Sequence, residues 1–161
     1  MASTDDLFTK WPRDNIPPAA DAARRLRVGP ADVLVFPDTG NPECRFKIWL
    51  PNRYGSGGLD LKICLGTDTA IANDARIGVS FMRFEGGSGD VEADSFAAEK
   101  TIDVTAPGSA SNCVYATISF LNSEIDGLLK NEMGILRVRR VLLASQWDGD
   151  AYLHGIHATE S

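Results

Sequence analysis

Eight short stretches of this chain alternate apolar and polar residues with a period of two, and no other feature restricts the fold as strongly. In ECRFKIWL, residues 43–50, Cys44, Phe46, Ile48 and Leu50 fall on one side, and Arg45, Lys47 and Trp49 on the other. GLDLKICLG, residues 58–66, groups Leu59, Leu61, Ile63 and Leu65, and ARIGVSFMRF, residues 75–84, groups Ile77, Val79 and Phe81. CVYATISFL, residues 113–121, aligns Val114, Ala116, Ile118 and Phe120. DVLVFP, EKTIDVTA, ILRVRRVLL and DAYLHGIHA complete the set. Successive strand side chains point to opposite faces, so each stretch reads as a half-buried antiparallel strand. Clusters such as PDTGNPE, PNRYGSGG and APGSASN separate them, rich in residues that favour turns for backbone reasons. The pattern predicts an all-β domain, a jelly-roll β-sandwich of about eight antiparallel strands.

Two segments depart from the alternation. Residues 1–31 carry Pro12, Pro17, Pro18 and Pro30 and few β-branched residues, which argues against a continuous helix and predicts an extended N-terminal arm. The sandwich domain then covers residues 32–161. The second is SEIDGLLKNEMG, where Ser123 is a candidate cap and Ile125, Leu128 and Leu129 share a helical face. Gly127 weakens that helix and Gly134 ends it, so one short crossover helix is expected.

The chain of 161 residues fits one domain with a real core. Its formal net charge of −6 disfavours nucleic acid and anionic membrane as partners. No secretory signal is visible, and no apolar run reaches the roughly 18–20 residues of a membrane-spanning helix. Cys44, Cys64 and Cys113 are odd in number and widely spaced, so buried free thiols are expected rather than a disulfide framework. No nucleophile elbow, phosphate loop or metal-ligand pattern appears, so neither catalysis nor a cofactor is expected. His154 and His157, three apart on a strand, should face opposite ways, which argues against a shared metal. The turns SGD (88–90) and DGD (148–150) offer acids to a calcium ion, but turn formation accounts for them.

The remaining candidates are aromatic and basic. Trp49 shares a strand face with Arg45 and Lys47, and Tyr54 follows in the next loop. Exposed rings there could stack on a sugar or anchor an interface. Trp11 and Trp147 lie near segments that could dock rather than bind ligand. The three arginines of ILRVRR are split by strand parity. Arg137 and Arg139 lie on the outer face, available for pairing within or between subunits, whereas Arg140 points to the core side and needs a carboxylate or carbonyl partner.

DLFTKWPRDNIPP, LPNRYGSGGLDLKI, EADSFAAEKTIDVTAPG and ATISFLNSEIDGLLKNEMGILRVRR, with GDAYL further on, resemble small β-sandwich proteins encoded by tailed bacteriophages and prophages. The resemblance spans most of the chain and lies in structural residues, with no catalytic signature. It implies a virion protein: a capsid decoration (cement) protein, made in the host cytoplasm, that binds the major capsid protein on the outer capsid surface as a homotrimer. Trp11, Pro12, Ile16, Pro17 and Pro18 of the arm, with Arg137 and Arg139, are the expected capsid or subunit contacts. The alternative is a carbohydrate-binding module or fibre-associated adhesion domain using Trp49 and Tyr54.

Overall fold

The computed structural model describes residues 6–69, 73–84, 95–110, 112–142 and 148–161. Among them ten strands form two antiparallel sheets packed face to face. They are β1 (Asp6–Lys10), β2 (Arg24–Val28), β3 (Ala31–Phe36), β4 (Glu43–Trp49), β5 (Leu59–Thr67), β6 (Asp74–Arg83), β7 (Lys100–Thr105), β8 (Cys113–Phe120), β9 (Met133–Val141) and β10 (Ala151–Glu160). The first sheet runs β2-β3-β10-β5-β8, and the second runs β4-β9-β6-β7. The fold is the all-β sandwich that the alternation predicts.

The core is the apolar half of each alternating strand. Leu59, Leu61, Ile63 and Leu65 of β5 are fully buried and face Phe46, Ile48, Phe81, Leu136 and Val138 of the second sheet. Burial of each such side chain contributes about 1.5–3 kcal/mol. Phe81 and Phe120 meet edge to face across the sandwich, with centroids 5.1 Å apart, a favoured aromatic geometry.

β10 organises the first sheet. On one side it pairs with β5 along its whole length. Its other side is divided: β3 takes Ala151–Leu153, and β1 takes Ile156–Thr159. The change of partner coincides with a bulge between Leu153 and Gly155, the kind of irregularity that bends a strand and re-aims its side chains.

The first thirty-one residues therefore supply two strands of the sheet, where an extended arm was expected. β1 pairs with β10 and β2 with β3. The link between them crosses the sandwich edge, where Ile16 N–H donates to the Arg45 carbonyl at 2.7 Å and the Asn15 side chain accepts from Arg45 N–H at 3.0 Å. The expected crossover helix is one 3-10 turn, Asn122–Ile125. Asp126 and Gly127 both have left-handed backbone (φ 62° and 61°), which stops a helix there. The carboxylate of Glu124 caps the turn by accepting from Leu121 N–H, a role expected of Ser123.

Candidate functional site

The outer face of the first sheet is hollowed where the bulge of β10 lies. A groove of about 310 Å³ runs across β10, β5 and β8. Two neighbouring depressions, of about 340 and 520 Å³, meet it at His154. Small-ligand sites occupy hollows of this size.

Two glycines shape this surface, Gly155 in the groove and Gly66 in the larger depression beside it. A Cβ on Gly155 would lie 3.4 Å from Cε3 of Trp11, so the indole rests against bare backbone at the bulge. A Cβ on Gly66 would lie 2.7 Å from Nε2 of His154, so the imidazole occupies the space a side chain would fill. Trp11 is 51% exposed although its backbone is fixed by a 2.9 Å bond from its N–H to the Asp14 carboxylate. Tyr115, 65% exposed, stands on β8 directly across from Cys64, which in turn is across from Gly155. Two strand spacings, about 10 Å, thus separate the two ring positions.

Polar groups lie between the rings. Lys62 holds its ammonium 4.9 Å from the centroid of Tyr115. His157 is fixed by Thr9 Oγ1 on one ring nitrogen and Asp6 Oδ1 on the other, each at 3.0 Å. His154 and His157 border the same groove, contrary to the opposite faces expected from their spacing. The reason is the bulge, which adds a residue between Leu153 and Ile156, both core-facing.

Burial pushes the His154 imidazole below the ordinary histidine range. It stays neutral at neutral pH and offers one donor and one acceptor. The unfolded chain takes up a proton near pH 6.5, the usual value, before the folded chain does. Between the two pKa values the unfolded state holds more protons, so stability falls as pH drops from about 6.5 and levels off below the folded value. His154→Gln should flatten that dependence in thermal unfolding followed from pH 8 to 5. An unchanged slope would remove His154 from this role.

The residues singled out in the sequence lie in several places. Tyr54, 2% exposed, is in the core, with its hydroxyl accepting from the Asn122 amide at 3.1 Å, so it cannot present a ring to a sugar. Trp49 is 58% exposed but on the second sheet, across from Met133, away from the groove. Arg139 forks onto Glu99 at 2.5 and 2.8 Å. Arg137 donates to Ser80 at 2.9 Å and lies 4.3 Å from the Phe96 ring centroid. Both arginines pair within the chain. Pro12 is buried beside Trp11, while Ile16, Pro17 and Pro18 lie along the crossing at the sandwich edge. Of the cysteines only Cys44 is buried. Cys64 is half-buried and Cys113 exposed, where three buried thiols were expected.

In the turn DGD, Gly149 N–H donates to Asp38 and the Asp148 carbonyl accepts from Thr69. SGD and Trp147 lie outside the described residues. Among the described residues no three His, Cys, Asp or Glu side chains converge as metal ligands. Of the two exposed rings, Trp11 is among the expected arm contacts and Tyr115 is not among the expected site residues, although its parity, opposite to Val114 and Ala116, marks it as outward-facing.

No family model matches the chain, and no curated protein matches its sequence. The fold does match solved structures. One is a family 35 carbohydrate-binding module from Clostridium thermocellum, with a TM-score of 0.59 and 12% identity over 96% of this chain and 98% of that one. Another is the CBM36-1 domain of a multidomain xylanase from the hindgut metagenome of Trinervitermes trinervoides (0.56, 11%, 98% of each chain). A third is the module CBM6cm-2 of Cellvibrio mixtus lichenase 5A, in complex with cellotriose (0.51, 11%, 98% of this chain and 99% of that one). At such identity the likeness is one of fold, and it extends end to end.

These matches overturn the expectation of a capsid decoration protein: the sandwich is shared with carbohydrate-binding modules rather than virion proteins. The arm expected to reach a capsid is built into the first sheet.

Proposed function

We propose that this chain is a non-catalytic carbohydrate-binding domain that holds a glycan in the groove on the outer face of its first sheet. The observation that carries the proposal is the pair of exposed rings, Trp11 and Tyr115, about two strand spacings apart across that groove. Sugar rings present apolar C–H faces to aromatic surfaces and hydroxyls to polar groups between them. The neutral imidazole of His154 can both donate to and accept from hydroxyls. A glycan lying across the strands would meet both rings at once. The fold shared with carbohydrate-binding modules supports this reading. The residues differ from those expected for sugar binding: Tyr54 is internal, and Trp49 is on the opposite sheet.

Calorimetry or affinity electrophoresis against a panel of soluble plant and bacterial polysaccharides tests the proposal. Wild type should bind at least one of them, and Trp11→Ala should weaken that binding about tenfold or more, the loss typical of a central aromatic contact. Trp49→Ala should bind like wild type. Failure to bind any glycan of the panel, or a loss confined to Trp49→Ala, would overturn the reading.

A further inference from the structure

Two of the three thiols lie together on the groove floor. Cys64 is on β5 and Cys113 is the first residue of β8. The register sets Cys64 opposite Tyr115 and Cys113 opposite Gly66. The two cysteines are thus diagonal neighbours on adjacent antiparallel strands, on the same face, and both line the groove. One diagonal of such a pair is drawn closer by the sheet's twist. Cys113 also starts its strand, where small backbone shifts disturb little of the ladder.

We propose that Cys64 and Cys113 form a reversible cross-strand disulfide on the floor of the groove, made by exchange with a small disulfide oxidant such as oxidised glutathione. Cys113 is exposed and reacts first. Its thiolate attacks one sulfur of the oxidant, forming a mixed disulfide and releasing one glutathione thiolate. Cys64 then gives up its proton and attacks the Cys113 sulfur, releasing the second. Two protein thiols are oxidised, and one glutathione disulfide is reduced to two glutathiones. The register places the Cys64 side chain between Cys113 and Tyr115 on one face of the sheet. Burial, with Cys113 nearby, pushes Cys64 up to about 11, which keeps it from reacting first. Cys44 is enclosed in the core and takes no part.

The bridge would draw the Cys64 sulfur away from Tyr115, one of the two proposed sugar platforms. Its effect on binding rests on the proposed glycan function; its formation does not.

The test is to incubate the folded protein with oxidised glutathione and record intact mass and a non-reduced peptide map. The expected result is a loss of two hydrogens and a peptide joining Cys64 to Cys113, both reversed by dithiothreitol. Cys64→Ser should instead keep one glutathione on Cys113. Persistent glutathione adducts on wild type, or dimers joined through Cys113, would overturn the proposal. Oxidised protein should also bind its glycan at least threefold more weakly, with Cys64→Ser/Cys113→Ser unaffected by the oxidant. If the bridge forms but neither form binds any glycan, the disulfide site stands and the glycan reading fails.

Discussion

Arg140→Ala is expected to destabilise the fold by about 3–5 kcal/mol, the range for breaking up a buried charged network. Arg140 is wholly enclosed on the inner face of β9. Its Nη1 donates to the carbonyls of Phe36 at 3.1 Å and Gly149 at 2.7 Å. Phe36 ends β3 and Gly149 precedes β10, so one side chain of the second sheet ties two strands of the first. Burial lowers the Arg140 pKa, while Asp38, Asp150 and Asp148 nearby oppose that shift. Alanine leaves two carbonyls short of a donor and opens a cavity the length of an arginine. For a chain of this size each kcal/mol corresponds to roughly 2–4 °C, so the midpoint of thermal unfolding should fall by about 10 °C or more. Arg140→Met fills the volume without restoring the donors and should recover only part of the loss. A shift of less than about 1 kcal/mol in urea unfolding would show that the clamp contributes little.

The same residue shows how much of the fold was legible. Strand parity alone puts Arg140 on the core side and asks for carbonyl or carboxylate partners, and its partners include the carbonyls of Phe36 and Gly149. Parity also identified the inner faces of β4, β5, β6 and β8, because a two-sheet sandwich buries every second side chain. It was silent on β2. All five residues of RRLRV are exposed, and the strand is held by backbone bonds to β3 rather than by a buried face. The 3-10 turn at Asn122–Ile125 was misread because Ile125 and Leu128 are buried at helical spacing. The Asp-Gly pair after Ile125 was the better signal, since both residues there are left-handed.

The groove was hidden for topological reasons. Trp11 and Tyr115 are about a hundred positions apart, and they share a face only because β10 enters between β1 and β5. His154 and His157 were assigned to opposite faces by a rule that holds for an unbroken strand. Gly155, a glycine inside a strand pattern, was the available warning of a bulge.

The largest loss of glycan binding should follow from Gly66→Leu, a change that touches neither ring. A Cβ at this position would lie 2.7 Å from His154 Nε2 and 3.3 Å from the Asn112 carbonyl. The first contact is the far end of a side chain that can turn away, so stability should fall by only about 1–2 kcal/mol, the lower part of the overpacking range. The rest of the leucine then fills the depression beside the groove and drives the His154 ring toward the space where a sugar would lie. Binding should weaken by about a hundredfold or more, which corresponds to about 2.7 kcal/mol. Gly66→Ala separates the two effects, because its single methyl displaces His154 without filling the depression. Combined with His154→Ala it should cost little beyond His154→Ala alone, the non-additivity expected of residues in contact. Calorimetry with the glycan found in the polysaccharide panel measures both. A Gly66→Leu protein that binds as tightly as wild type would put the glycan on another surface and remove the groove as the site.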